Sequence, residues 1–252
     1  MSLYRFFIIL FVTVYLPTAF TIQQIPSFLK ICHRNDPNLG ECIKQSVNTL
    51  KPYLNNGIQV LGIPSCEPFR LEEIDIDQTS GPIYIRSKYN NVSIFGGSNI
   101  TSKSIKVDFE KNRIRMKVYI PRLEMIANYN LNGRIMMLPI RGNGLGRGNF
   151  TDIDAIITLQ LQRYTNERTG LVHQRVEDIY VDFNIGHATV QLDNLFDGDE
   201  TLSAAMNLFL NDNWKIVVAE IRPKLEETIA DIVKNFANTI FTVFPEDVLL
   251  PP

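Results

Sequence analysis

Between about Phe69 and Asp193 the chain alternates apolar and polar residues with a period of two, over runs far longer than an ordinary strand. Ile105, Val107 and Phe109 alternate with Lys106, Asp108 and Glu110, and Ile114, Met116, Val118 and Ile120 alternate with Arg113, Arg115, Lys117 and Tyr119. Successive strand side chains point to opposite faces, so each run has one apolar and one charged face. Glu110-Lys111-Asn112 supplies the turn of an antiparallel hairpin. The alternation returns at Ala155, Ile157, Leu159 and Leu161, and at Ile179, Val181, Phe183 and Ile185. Long strands that each offer a core only one face predict one large, curved antiparallel sheet.

After the glycine and acid cluster at Phe196 to Glu200 the period changes. Apolar residues fall at helical spacing from Leu202 to Leu210, and then at Trp214, Val218, Ile221, Leu225, Ile229, Val233, Phe236, Ile240 and Phe244, with Pro245 closing the run. A helix from Trp214 to Phe244 would be about 46 Å long, bent near Pro223. Its apolar stripe is too broad for a helix lying on an ordinary surface. Sheet and helix each need a place to bury a face, and wrapping one around the other satisfies both. A shorter helix is predicted from Asp36, with Pro37 in its first turn and Gly57 at its end.

Arg5 precedes an unbroken apolar run from Phe6 to Leu16, apart from Thr13, and Pro17, Thr18 and Ala19 follow. That is the pattern of a secretory signal peptide, about half the length needed to span a bilayer. Residues 1–19 are therefore expected to be removed, leaving 20–252 as one secreted domain. The whole chain has 25 basic and 27 acidic side chains; loss of Arg5 makes 24 against 27, or −3. Such a balance gives no polybasic signal for nucleic acid, and no other stretch is long enough for stable membrane insertion. In an oxidising compartment Cys32 and Cys42 are expected to form a local disulfide, with Cys66 left as a buried, inert thiol. Sequons at Asn91, Asn99 and Asn149 are glycosylation candidates, expected in loops flanking the strands.

Catalysis has little to work with. The three histidines are His33, His173 and His187, and there is no H-E-x-x-H, G-x-S-x-G or C-x-x-C. His173 and Glu177, four apart on a strand, are expected on one face as a solvated pair, and His187 as a core or edge residue. No catalytic residue, metal site or cofactor is predicted. Gly142, Gly144, Gly146 and Gly148 alternate between two strands without opening a helix, which fits neither phosphate-binding pattern. They predict a mobile hairpin loop or bulge, with Arg141 and Arg147 solvated. The space between sheet and helix is left open by periodicity alone. It is either a filled core or an elongated gap lined by residues such as Met116, Met125, Tyr129, Met136, Met137 and Phe183.

Several motifs then occur in a definite order. The Cys32 to Cys42 pair leads into a helix, followed by Gly57-Ile58 and Gly62-Ile63-Pro64. Asn194-Leu195-Phe196-Asp197-Gly198 and Leu208-Phe209-Leu210-Asn211-Asp212-Asn213-Trp214 come next, then Pro223 and the Phe244-Pro245-Glu246-Asp247-Val248-Leu249-Leu250 tail. From Cys32 to Leu250 the chain resembles the insect takeout and haemolymph juvenile hormone binding protein family. With no cysteine after Cys66, the resemblance is to the takeout-like branch. It implies an α+β fold in which a strongly curved antiparallel sheet wraps a long C-terminal helix around an elongated apolar tunnel. It also implies a carrier without enzymatic activity.

The resulting expectation is a secreted, monomeric carrier of a long hydrophobic small molecule such as a terpenoid hormone or fatty acid, delivering to an unidentified receptor. Met116, Val118, Tyr129 and Phe183 on the strands, and Trp214, Val218, Ile221, Leu225, Ile229 and Phe236 on the helix, are its expected tunnel lining. The alternative is a secreted protein–protein interaction module with a filled core and no ligand. A hydrolase would need a nucleophile beside His173 or His187.

Overall fold

The alternating runs become strands too long to lie flat. In the computed structural model, which describes residues 25–78, 83–135 and 137–252, six antiparallel strands form one sheet. They are β1 (Phe69–Gln78), β2 (Ile83–Phe95), β3 (Thr101–Asp108), β4 (Arg113–Ile135), β5 (Leu138–Thr165) and β6 (Val172–Leu192). The 28 residues of β5 would span about 90 Å if straight, twice the width of a compact chain this long. The order is β1-β2-β4-β5-β6, with β3 taking over from β2 along the first half of β4.

Curvature has local causes. Register shifts occur at Asn90/Ser93, Ser102/Ser104 and Gln160/Leu161, and such bulges bend and twist a strand. One row changes three neighbouring strands together. The inward-facing residues switch parity between Ile120 and Leu123 on β4, between Phe150 and Ile153 on β5, and between Ile185 and Ala188 on β6. Pro121 has no N–H to give at that row, Asp152 takes φ 53° and accepts from the Tyr119 hydroxyl at 2.7 Å, and a Cβ on Gly186 would meet the Asp152 Cβ at 2.6 Å.

The helices are α1 (Leu39–Leu54), α2 (Glu200–Asp212), α3 (Trp214–Phe241) and the short α4 (Glu246–Leu249). α1 begins three residues later than expected, because the Asp36 carboxylate caps the turn at the Asn38 N–H, 2.7 Å away. It packs on β3, and the Cys32–Cys42 disulfide forms as expected. α3 runs through Pro223 and stops at Phe241, three residues short of expectation, so that Phe244 turns inward and is 1% exposed. It touches β6 and also β1, the two outer strands. A sheet whose opposite edges meet the same helix is curled around it, and the edges are thereby covered. The predicted signal peptide, residues 1–19, lies outside the described residues, as does Met136.

The glycine-rich stretch corrects one expectation. Gly142 to Gly148 lie inside β5, paired with β4 throughout. Their bare face admits a second chain: a Cβ on Gly144 would lie 2.5 Å from the Asp193 carbonyl, and one on Gly142 2.9 Å from the Leu195 Cα. Arg147 and Arg141 are not simply solvated, since they pair with Asp193 at 3.0 Å and Asp197 at 2.8 Å across this crossing. His173 and Glu177 are not a solvated pair. Leu161 pairs with Val176 and Gln160 with Asp178, so Glu177 is the extra residue of a bulge. His173 is buried, with its ring 5.8 Å from Tyr164, and Glu177 is exposed. The sequons are also displaced: Asn91 and Asn149 lie within β2 and β5, and only Asn99 lies in a turn.

Candidate functional site: the concave face and helix α3

Two packed clusters occupy the ends of the space between α3 and the sheet. In the first, Tyr129, Leu131, Ile140, Leu192 and Leu195 pack with Met206 and Leu210 of α2, with Val217 at the margin. In the second, Val118, Ile157, Leu159, Val181 and Phe183 pack with Leu225, Ile229, Val233 and Phe241 of α3, and Met116 lies alongside. A middle section separates them on both elements. Along β4 it holds Met125, Leu123 and Ile120, flanked by Ile94 and Phe150, and along α3 it holds Val218 and Ile221. Every one of these seven side chains is apolar, faces inward by register or helical phase, and remains partly exposed. Over its 28 residues α3 has none that is fully buried.

The expected lining residues therefore distribute unevenly. Val118, Phe183, Leu225, Ile229 and Met116 meet in the second cluster. Val218 and Ile221 face the middle section. Trp214 lies at the start of α3 with its ring edge-on to His187 at 5.7 Å. Phe236 packs toward a third cluster around Phe244 and tilts against Phe69 at 5.4 Å, beside a cleft of about 200 Å³ between β1 and α3. Tyr129 sits apart on the glycine face, where its hydroxyl donates to the Asp193 carbonyl at 2.7 Å. Burial, then the charge of Asp193 and the neighbouring Tyr89, push its pKa up to about 12, so it stays a neutral donor. A larger hollow of about 280 Å³ is lined by Arg122, Glu124, Arg147, Asn149 and Gln191, a polar wall suited to water.

Ile94, Leu123 and Phe150 were not expected at the site. The signal for Leu123 and Phe150 is the interruption of alternation at Pro121 and Asp152, which returns them to the inner face, and Ile94 follows the register shift at Asn90/Ser93 on β2. Polar contacts tie helix α3 directly to β6. Arg222 donates to the Phe183 carbonyl and lies 5.0 Å over the Phe183 ring, and the Asn238 amide oxygen accepts from the Val176 N–H at 2.7 Å. No cluster of His, Cys, Asp or Glu among the described residues could hold a metal ion, and no described helix is long and apolar enough to cross a membrane. Burial, followed by the charge of Glu67, pushes the half-buried Cys66 thiol up, which keeps it protonated.

Comparison with known proteins agrees with this geometry. The crystal structure of Epiphyas postvittana Takeout 1 superposes with a TM-score of 0.76, at 21% identity, covering 88% of this chain and all of that one. The circadian clock-controlled protein daywake of Drosophila melanogaster is 23% identical over 233 residues, 89% of this chain and 88% of its own. A Schistocerca gregaria protein named "Putative beta-carotene-binding protein" is 21% identical over 218 residues, 86% of each chain. The model of the haemolymph juvenile hormone binding protein family matches residues 6–251. Sharing that family's sequence pattern along nearly its whole length and the fold of a takeout protein, the chain belongs to the takeout and haemolymph juvenile hormone binding protein family.

Proposed function

We propose that this protein is a secreted, non-enzymatic carrier that holds a long hydrophobic small molecule in an elongated apolar tunnel between α3 and the concave face of the sheet. The observation that carries the reading is the middle section, where apolar side chains of helix and sheet face one another and none completes its burial. Residues 20–252 act as one domain after removal of 1–19. The tunnel takes its wall from Val218, Ile221, Leu225, Ile229 and Phe236 on one side and Met116, Val118 and Phe183 on the other. Trp214 and Tyr129 stand toward the far end. The carotenoid in the name of the Schistocerca gregaria relative and the hormone in the name of the family are of the same chemical kind, long terpenoids.

Binding is driven by moving apolar area out of water, at about 0.8 kcal/mol per methylene. Ten to fifteen such groups give about 8 to 12 kcal/mol, against an association cost of several kcal/mol, which predicts affinity near micromolar. The test is organic extraction and mass spectrometry of protein purified from its own organism, together with displacement of a fluorescent fatty acid from the emptied protein. A bound apolar molecule and competitive displacement are expected. If extraction yields nothing and the fluorescent fatty acid does not bind, the protein is not a carrier.

A further inference from the structure

We infer that Ser102 supplies the polar contact of this tunnel, and that the cargo is a long apolar molecule carrying one terminal oxygen function of the alcohol type; the inference rests on the carrier reading above. Ser102 on β3 faces Val118, in the row that continues through Ala155 to Phe183 across β4, β5 and β6. The next row, at Ile120, opens the partly exposed middle section. Ser102 is 5% exposed, and its hydroxyl has no hydrogen-bond partner among the described residues. Buried hydroxyls are ordinarily bonded, and one left alone on an apolar face is destabilising unless something else satisfies it.

Several other buried or half-buried polar side chains are already engaged. Tyr129 donates to the Asp193 carbonyl, and Ser87 donates to the Ile76 carbonyl at 3.4 Å. Asn207 and Asn211 hold the backbone of Leu192 and Val190, and Asn238 holds that of Val176. A second orphan lies on the adjoining helix. The amide oxygen of Asn48 is buried and has no partner among the described residues; it lies one turn before Lys51, whose ammonium donates to the Thr101 hydroxyl at 2.8 Å, next to Ser102. A serine hydroxyl both donates and accepts, which suits a hydroxyl group on the ligand. Val118 and Phe183 along the same row suit the carbon chain behind it.

The experiment uses the full mature chain, emptied of lipid, with the dye N-phenyl-1-naphthylamine displaced by 1-hexadecanol or by 1-chlorohexadecane, a matched chain without a donor. The wild type should bind the alcohol about fivefold more tightly than the chloride, the equivalent of one neutral hydrogen bond. Ser102→Ala should erase that preference by weakening the alcohol alone. Equal affinity of the wild type for both probes, or a preference that survives in Ser102→Ala, overturns the assignment while leaving the carrier intact. If neither probe displaces the dye from the wild type, the carrier reading fails and this inference goes with it.

Discussion

Gly144→Ala gives the sharpest test of how the first cluster is closed. An ideal Cβ at this position would lie 2.5 Å from the Asp193 carbonyl oxygen and 3.3 Å from the Asn194 Cβ. Backbone must therefore move by roughly 1 Å, since the neighbour is not a flexible side-chain end. The moving segment carries the Tyr129 hydroxyl bond at 2.7 Å and the Asp193 N–H bond to the Leu145 carbonyl at 3.0 Å. Overpacking of about 1–3 kcal/mol, with about 1 kcal/mol for a weakened hydrogen bond, predicts a loss near 3 kcal/mol. For a chain of this size that is a fall in Tm of about 6–12 °C. Gly146→Ala is the internal control. Its Cβ would meet the Leu192 Cδ2 at 3.3 Å and the Tyr129 ring at 3.5 Å, both of which yield, so its cost should stay below about 1 kcal/mol. Urea denaturation of both variants measures the difference. A mobile glycine loop would make both substitutions neutral or slightly stabilising; equal stabilities for the two variants would refute the crossing as the reason for the glycines.

Three other perturbations read different parts of the molecule. Ile221→Gln places an amide in the partly exposed middle section; dye affinity should fall about tenfold while stability changes by less than about 1 kcal/mol, and a titration in which affinity holds would remove Ile221 from the lining. Glu246 is 5% exposed and accepts two hydrogen bonds from Arg163, at 2.8 and 2.7 Å, with Arg34 at 3.4 Å. Because Arg163 is partly solvated, Glu246→Gln should cost about 2 kcal/mol by urea denaturation, below the full value for a buried pair, and a cost below about 0.5 kcal/mol would mean the C-terminal tail is not clasped this way. Burial opposes the charge on Glu67, but the Gly96 N–H, the Ser98 hydroxyl and the Ser98 N–H outweigh it and hold its pKa below the usual carboxylate range. A depressed pKa stabilises the fold above the unfolded value and loses that contribution as pH falls through the folded one, so the Tm gap between wild type and Glu67→Gln should narrow as pH falls from about 6 to about 3. A gap independent of pH contradicts this assignment.

Much of the fold was legible because strand and helix periods differ. The hairpin at Ile105 to Ile120 pairs as alternation predicts, Ile105 with Met116 and Val107 with Ile114, and Ala155, Ile157 and Leu159 meet Phe183, Val181 and Ile179. The failures share one cause, a partner remote in sequence or an extra residue that shifts parity. Nothing near Gly144 announces that Asp193 will cross it. Likewise the spacing of His173 and Glu177 implies a shared face only if the strand is regular, and the bulge opposite Gln160 and Leu161 breaks that condition.

The site was legible in direction but not in depth. Periodicity indicates which side chains of α3 and the sheet look at each other, and Val118, Phe183, Leu225 and Ile229 meet in one packed cluster. It cannot set the distance between the two elements, and that distance decides whether the facing surfaces close into a core or stand apart. Polar and aromatic contacts join the two elements here: Arg222 against Phe183 on β6, Asn238 against Val176 on the same strand, and Phe236 against Phe69 on β1. Between these contacts Val218 and Ile221 on the helix, and Leu123 and Phe150 on the sheet, do not complete their burial. An ordinary core would complete that burial, because each methylene left partly wet forgoes up to about 0.8 kcal/mol. Over its 28 residues α3 has none that is fully buried, and on the proposed carrier function that apolar surface is what the cargo would cover.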